Sequence, residues 1–177
     1  MTTESHSFST LHQALGALLK QGQGLLESLS DAQYVEACPE ANSTGIGGHY
    51  RHTLEHISPL LTSLTNDLLD YDAREREVRL ETDREYAKAV TQDLLLQAQQ
   101  CHPQDFDKKI RVRCSVSQDS SSPVVESTLA REIMYAEIHA IHHFAIIKII
   151  CSLKGVSLPN TFGVAPSTLN HRETVSA

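Results

Sequence analysis

The chain has 177 residues, 40% of them hydrophobic, and a formal net charge of -7. That is enough for one domain with a sizeable core. With no basic stripe, it excludes nucleic-acid binding and attraction to anionic membranes, both of which need clustered Lys and Arg.

No apolar run approaches the roughly 20 residues of a membrane span, and the N-terminal MTTESHSFST lacks the order of a signal peptide. Cys38, Cys101, Cys114 and Cys151 are far apart and form no C-x-x-C pair, so they read as reduced, mostly buried thiols. A cytoplasmic location follows.

The spacing predicts a first helix from Phe8 to about Ser30, with a stripe from Leu11 to Leu29. DAQYVEACPEANSTG reads as a loop. A second helix is expected from about Ile46 to Leu69, with apolar positions that include Leu54, Ile57, Leu64 and Leu68 and a kink at Pro59. The charged DYDAREREVRLET reads as an irregular crossover, followed by a third helix over about 83–100. Ile110, Val112, Cys114 and Val116 alternate with polar residues, the period of a half-buried strand. DSSS is turn-like, and 123–127 returns as a short partner. A fourth helix over about 128–154 stops at Gly155. The tail carries too many breakers for a helix, yet Leu158, Phe162 and Val164 call for burial. The expected fold is all-α: one domain over 1–177, a four-helix bundle with a core of about 8–154, a small β-hairpin before the last helix and an irregular tail over 155–177.

The ten histidines are uneven: three fall at 49, 52 and 56 and three at 139, 142 and 143. Residues three and four apart share a helix face, so each trio points one way. Ile138, Ile141, Ile146, Ile147, Ile149 and Ile150 make the last helix apolar nearly all round, and burial follows. A buried imidazole without a partner costs about 1–3 kcal/mol, and a shared metal would relieve several at once. Two helices each offer an H-x-x-x-H pair, His52/His56 and His139/His143. Two ligands from one helix and one or two from the other make a three- or four-coordinate site; the competing reading is hydrogen-bonded core histidines. An H-E-x-x-H peptidase is excluded, because Thr53 follows His52 and Ala140 follows His139. No E-x-x-H of a di-iron bundle occurs, nor a G-x-S-x-G elbow or a phosphate-cradling glycine loop.

IHAIHHF near the start of the last helix, with STGIGGHYRHTLEH on the second, resembles the DinB/YfiT-like family over roughly residues 8–154. The resemblance implies an up-down-down-up four-helix bundle, often a homodimer, with a divalent metal, zinc or nickel, on His52, His139 and His143, and with His49, His56 and His142 as extra or supporting residues. It also implies a thiol-dependent S-transferase or hydrolase that takes a small-molecule substrate with a low-molecular-weight thiol such as bacillithiol, mycothiol or glutathione. Phe144 and Ala145 stand where the family often has Arg-Gly, which puts the substrate class in doubt more than the metal.

Three imidazoles would leave an open coordination position where a bound thiol or water loses its proton. Glu55, three residues after His52, is the candidate acid/base, and Tyr50, Arg74 and Arg76 are candidates for an anionic substrate. The alternative is a non-catalytic metal- or small-ligand-binding bundle, favoured if His56 closes the site.

Overall fold

The computed structural model describes residues 3–63, 65–73, 75–118 and 121–176, with side chains from 7 to 175. Four long helices pack side by side: α1 (Thr3–Glu27), α3 (Ile46–Thr62), α5 (Arg84–Gln100) and α6 (Leu129–Leu153). α3 lies on α6 and on α5, and α1 lies on α5 and on α6. Three shorter helices, α2 (Asp31–Val35), α4 (Arg79–Thr82) and α7 (Pro166–Ser176), two 3-10 turns (Pro39–Ala41 and Pro103–Asp107) and a three-stranded sheet accompany them. It is mostly helical, but a bare all-α bundle with a hairpin does not describe it.

Local chemistry explains where the elements depart from expectation. α1 stops at Glu27, because Ser30 begins the next helix instead: its Oγ accepts from Gln33 N at 3.3 Å while Gln33 Oε1 accepts from Ser30 N at 2.9 Å. α3 ends at Thr62, seven residues short of the expected end. Past Pro59, the Thr62 and Ser63 hydroxyls donate to the Pro59 and Leu60 carbonyls, offering the chain a way out of the helix. Leu64, part of the expected stripe, lies outside the described residues. Leu68 and Leu69 belong to β1 (Leu68–Asp70), which runs parallel to β2 (Lys109–Arg113); β2 in turn pairs antiparallel with β3 (Val124–Thr128). The turn expected at DSSS falls partly on 119–120, outside the described residues.

Three further expectations are corrected. α6 is not buried all round: Ile138 and Ile149 are 66% and 62% exposed. By length and composition α6 is also long and apolar enough to cross a membrane, contrary to the reading of the sequence; here it packs on α3 and α1. The tail does form a helix, because Pro166 stands at its first position, where its missing N–H costs nothing. Before α7 the chain folds back on α6. Phe162 is buried and stacks on Phe144 with ring centroids 4.8 Å apart, and Lys148 Nζ donates to the carbonyls of Pro159, Asn160 and Phe162.

Gly47 sets the contact between α3 and α4. A Cβ there would land on the Glu81 carbonyl oxygen, a backbone atom that cannot swing aside. Gly47→Ala is expected to destabilise the chain by about 1–3 kcal/mol, the usual cost of overpacking. Urea denaturation of the two proteins, read by circular dichroism, checks this.

Candidate functional site

The α3–α6 contact brings five imidazoles together. On α3, residues 49, 52 and 56 lie within about two turns on one face; on α6, residues 139 and 143 are one turn apart. His52 Nε2 stands 3.0 Å from His139 Nε2, and His49 Nδ1 stands 3.1 Å from His143 Nδ1. The rings of His56 and His139 have centroids 4.1 Å apart, and His143 lies 4.7 Å from both His52 and His139.

Tautomers follow from the partners. His56 Nδ1 donates to the His52 carbonyl at 2.9 Å, so in the neutral ring Nε2 is the nitrogen without the proton. Of the facing Nδ1 atoms of His49 and His143, one carries the proton. His49 Nε2 is buried without a hydrogen-bond partner among the described residues; a lone pair there is less costly than an N–H, so His49 donates from Nδ1. Burial, then the neighbouring His139, His49, His142 and His56, pull the His143 pKa down to about 3. Burial and then His142 lower that of His49. Both rings are therefore neutral at pH 7.

One ligand atom from each of His52, His56 and His139 falls within 4.8 Å of the others. Two nitrogens bound to one tetrahedral zinc at about 2.05 Å stand roughly 3.3 Å apart. The 3.0 Å between His52 and His139 is close to that, so this trio fits a divalent cation with small side-chain adjustments. The trio implied by the family resemblance shares His52 and His139, and His143 sits beside them, directed to His49. His142 is exposed and touches only the rim, its ring 5.3 Å from that of His143.

The other candidates lie elsewhere. Glu55 is buried but holds Arg51, whose Nη1 donates to both its oxygens at 2.8 and 3.0 Å, while Arg51 Nε reaches Glu81 on α4. Tyr50 is buried, and its hydroxyl pairs with Thr91 on α5 at 2.8 Å, so it does not face an anionic ligand. Arg76 is exposed, and Arg74 lies outside the described residues.

Sequence reasoning missed the aromatic wall. Tyr71 stacks on His56 and Tyr135 on His139, at 5.4 and 5.9 Å. Glu132 anchors the wall: its carboxylate accepts from Tyr71 Oη at 3.2 Å and from Ser127 Oγ at 2.6 Å. Tyr135 was findable, one turn before His139; Tyr71 was not, because a crossover brings it in from another part of the chain.

A second concavity lies on another face of α3. It is a groove of about 560 Å3 between α3, β1, α4 and α5, lined by Leu54, Pro59, Leu80 and Val90 and, in equal measure, by polar residues that include Glu55, Ser58, Asp70, Glu75 and Glu77.

No family model matches the chain, and no solved structure matches it. Over 116 residues it is 36% identical to FK506-binding protein 5 of Rhizopus delemar; the matched stretch is 65% of this chain and 30% of that protein. This similarity overturns the DinB/YfiT-like assignment, since the matched protein bears the name of a different family. The S-transferase or hydrolase with a three-histidine metal site goes with it, and so does its alternative, the non-catalytic bundle.

One buried carboxyl on α6 gives the stability a pH dependence. Glu137 Oε1 is buried without a hydrogen-bond partner among the described residues, and burial pushes the carboxyl up to about 7. The folded state thus resists ionisation. The stability this group leaves intact is complete below the unfolded pKa near 4.5 and is lost as pH rises through about 7. Glu137→Gln is expected to raise the melting temperature at pH 8 and to change it little at pH 4, as differential scanning fluorimetry across that range will read.

Proposed function

We propose that this chain does the kind of work named for its Rhizopus delemar relative: it binds an FK506-type ligand, with peptidyl-prolyl isomerisation as the reaction where catalysis accompanies binding. The 36% identity over 116 residues carries this reading. The groove beside α3 supports it by size: at about 560 Å3 it falls within the range of small-molecule sites. Because the chain matches 30% of the relative, the activity of the whole relative is itself part of the proposal.

The histidine cluster enters as a cofactor site. In this reading a divalent cation, zinc or nickel, sits on His52, His56 and His139, a donor set that suits either ion. Bound there, the ion ties α3 to α6 and adds stability that grows with its free concentration. The up-down-down-up order of the long helices belongs to the same proposal, and four cysteines outside any disulfide support a reducing, cytoplasmic setting for it.

Calorimetric titration with FK506 and a prolyl-peptide isomerisation assay test the first part. Saturable binding is expected, with loss of it in Ser58→Arg, where a long cationic side chain enters the groove. No heat and no rate acceleration would sink the reading for this chain and leave the relative's activity to the portion outside the match.

Elemental analysis of untagged protein tests the second part independently. About one zinc or nickel per chain is expected, with none in a His52→Ala/His139→Ala variant. The ion should leave as pH falls through the imidazole range near 6.5; a metal content unchanged down to about pH 4 would count against imidazole ligands.

A further inference from the structure

The groove beside α3 is one-sided in charge. Four carboxylates line it, from Glu55 on α3, Asp70 on β1, and Glu75 and Glu77 in the crossover, and no Lys, Arg or His stands among its described lining residues. Two of the four are neutralised from outside the groove. Arg51 Nη1 donates to both oxygens of Glu55, and Arg113 Nη1 donates to Asp70 at 2.8 Å. The other two are not. Glu75 and Glu77 are exposed, Glu77 Oε1 accepts from the Arg79 backbone N–H at 2.9 Å, and neither carboxylate forms an ion pair among the described residues.

The described arginines of the same segment do not cancel this charge. Arg76, between the two glutamates in sequence, is exposed and does not line the groove. Arg79 lies over the Tyr86 ring, 4.2 Å from its centroid, and pairs with Asp83 at 3.0 Å, so its charge is engaged at the start of α5. The rest of the wall includes Leu54, Pro59, Leu80 and Val90. Charges of one sign on a cleft with low-dielectric walls focus the field and draw in the opposite charge. The sequence suggested Arg76 as a contact for an anionic substrate; the groove beside it favours a cation.

We infer that the ligand of this groove is cationic: a prolyl peptide with a Lys or Arg beside the proline. This rests on the reading of the groove as the site of a prolyl ligand. The apolar wall takes the proline ring, and Glu75 and Glu77 at the exposed edge take the ammonium or guanidinium of the neighbouring residue. An exposed ion pair contributes up to about fivefold in affinity, and its exposure leaves it open to screening by salt. The two carboxylates therefore select among prolyl peptides, while the apolar wall supplies the affinity that all of them share.

Calorimetric titration of the full chain with N-acetylated Ala-Lys-Pro-Phe, Ala-Leu-Pro-Phe and Ala-Glu-Pro-Phe amides, with FK506 beside them, is the test. At about 0.01 M salt the lysyl peptide should bind about fivefold tighter than the leucyl one, and the glutamyl one weakest. The preference should vanish near 1 M salt, as the Debye length falls from about 30 to about 3 Å. Glu75→Gln/Glu77→Gln should remove the preference and leave the binding of FK506, which is uncharged, as it was; both side chains are exposed, so folding does not depend on them. Glu75→Lys/Glu77→Lys should reverse the preference in favour of the glutamyl peptide. Equal binding of the three peptides with FK506 still bound, or a preference that survives high salt or the glutamine variant, would overturn the inference and leave the groove's assignment standing. So would N-acetyl-lysinamide binding as tightly as the lysyl peptide, which would make the groove a site for cations alone. A lysyl preference that depends on Glu75 and Glu77, with no heat from FK506, would uphold the cationic ligand and refute FK506. No binding of any of these ligands would overturn both.

Discussion

The contact between α3 and α6 is the constraint on which the rest of the molecule turns. Both helices send imidazoles into the same seam, and half-buried rings cannot all carry charge. Burial and neighbouring imidazoles lower the pKa values of His143 and His49, so these two facing rings are neutral at neutral pH and share a proton. Neutral rings facing each other at 3.0 and 3.1 Å must alternate donor and acceptor, and each fixed tautomer directs a lone pair somewhere. The His56 proton is committed to the His52 carbonyl, which sends its other nitrogen inward.

Much of this was legible in the residues. The period of 3.6 placed His52 with His56 and His139 with His143 on single faces, and the long helices that carry them were found within a few residues of their ends, α3's C-terminus excepted. β1 was hidden because Leu68 and Leu69 continue the spacing of Leu60 and Leu61; only pairing with β2, some forty residues on, makes them a strand. The exposed isoleucines of α6 were hidden for a related reason. Isoleucine says that a surface is apolar, not which neighbour covers it, and α3, α1 and the tail together leave one sector bare. The family resemblance rested on histidine spacing, and two helices crossing with histidines in register is a solution that physics offers to more than one lineage.

α3 is a two-sided element, and that organises the molecule around it. One side presents His49, His52 and His56 to α6; the other presents Ser58 and Pro59 to the groove, with Glu55 between them. Arg51, held by Glu55 on the same helix, ties it to α4 through Glu81, and Gly47 lets the α4 backbone approach closely. The helix is therefore braced on the groove side by backbone contact and charge pairing, and on the seam side by the histidines and the tyrosine wall. It cannot rotate to suit one site without disturbing the other.

That bracing bears on how two such sites would communicate. Coupling between ligands on opposite sides of a helix requires two arrangements of that helix that each ligand prefers differently. Packing of the Glu81 carbonyl against Gly47 leaves no room for a sideways shift at the α3 N-terminus. The C-terminal half is different: Pro59 removes a backbone hydrogen bond there, and the hydroxyls of Thr62 and Ser63 hold the last turn. Movement in α3 is thus confined to the turns after His56, the segment that lines the groove and leads into β1. A cation on His52 and His56 would fix the half that is already fixed, and the groove would retain its own freedom. On the proposed reading the two sites would act side by side, with the histidine seam holding the scaffold and the groove adapting to its ligand.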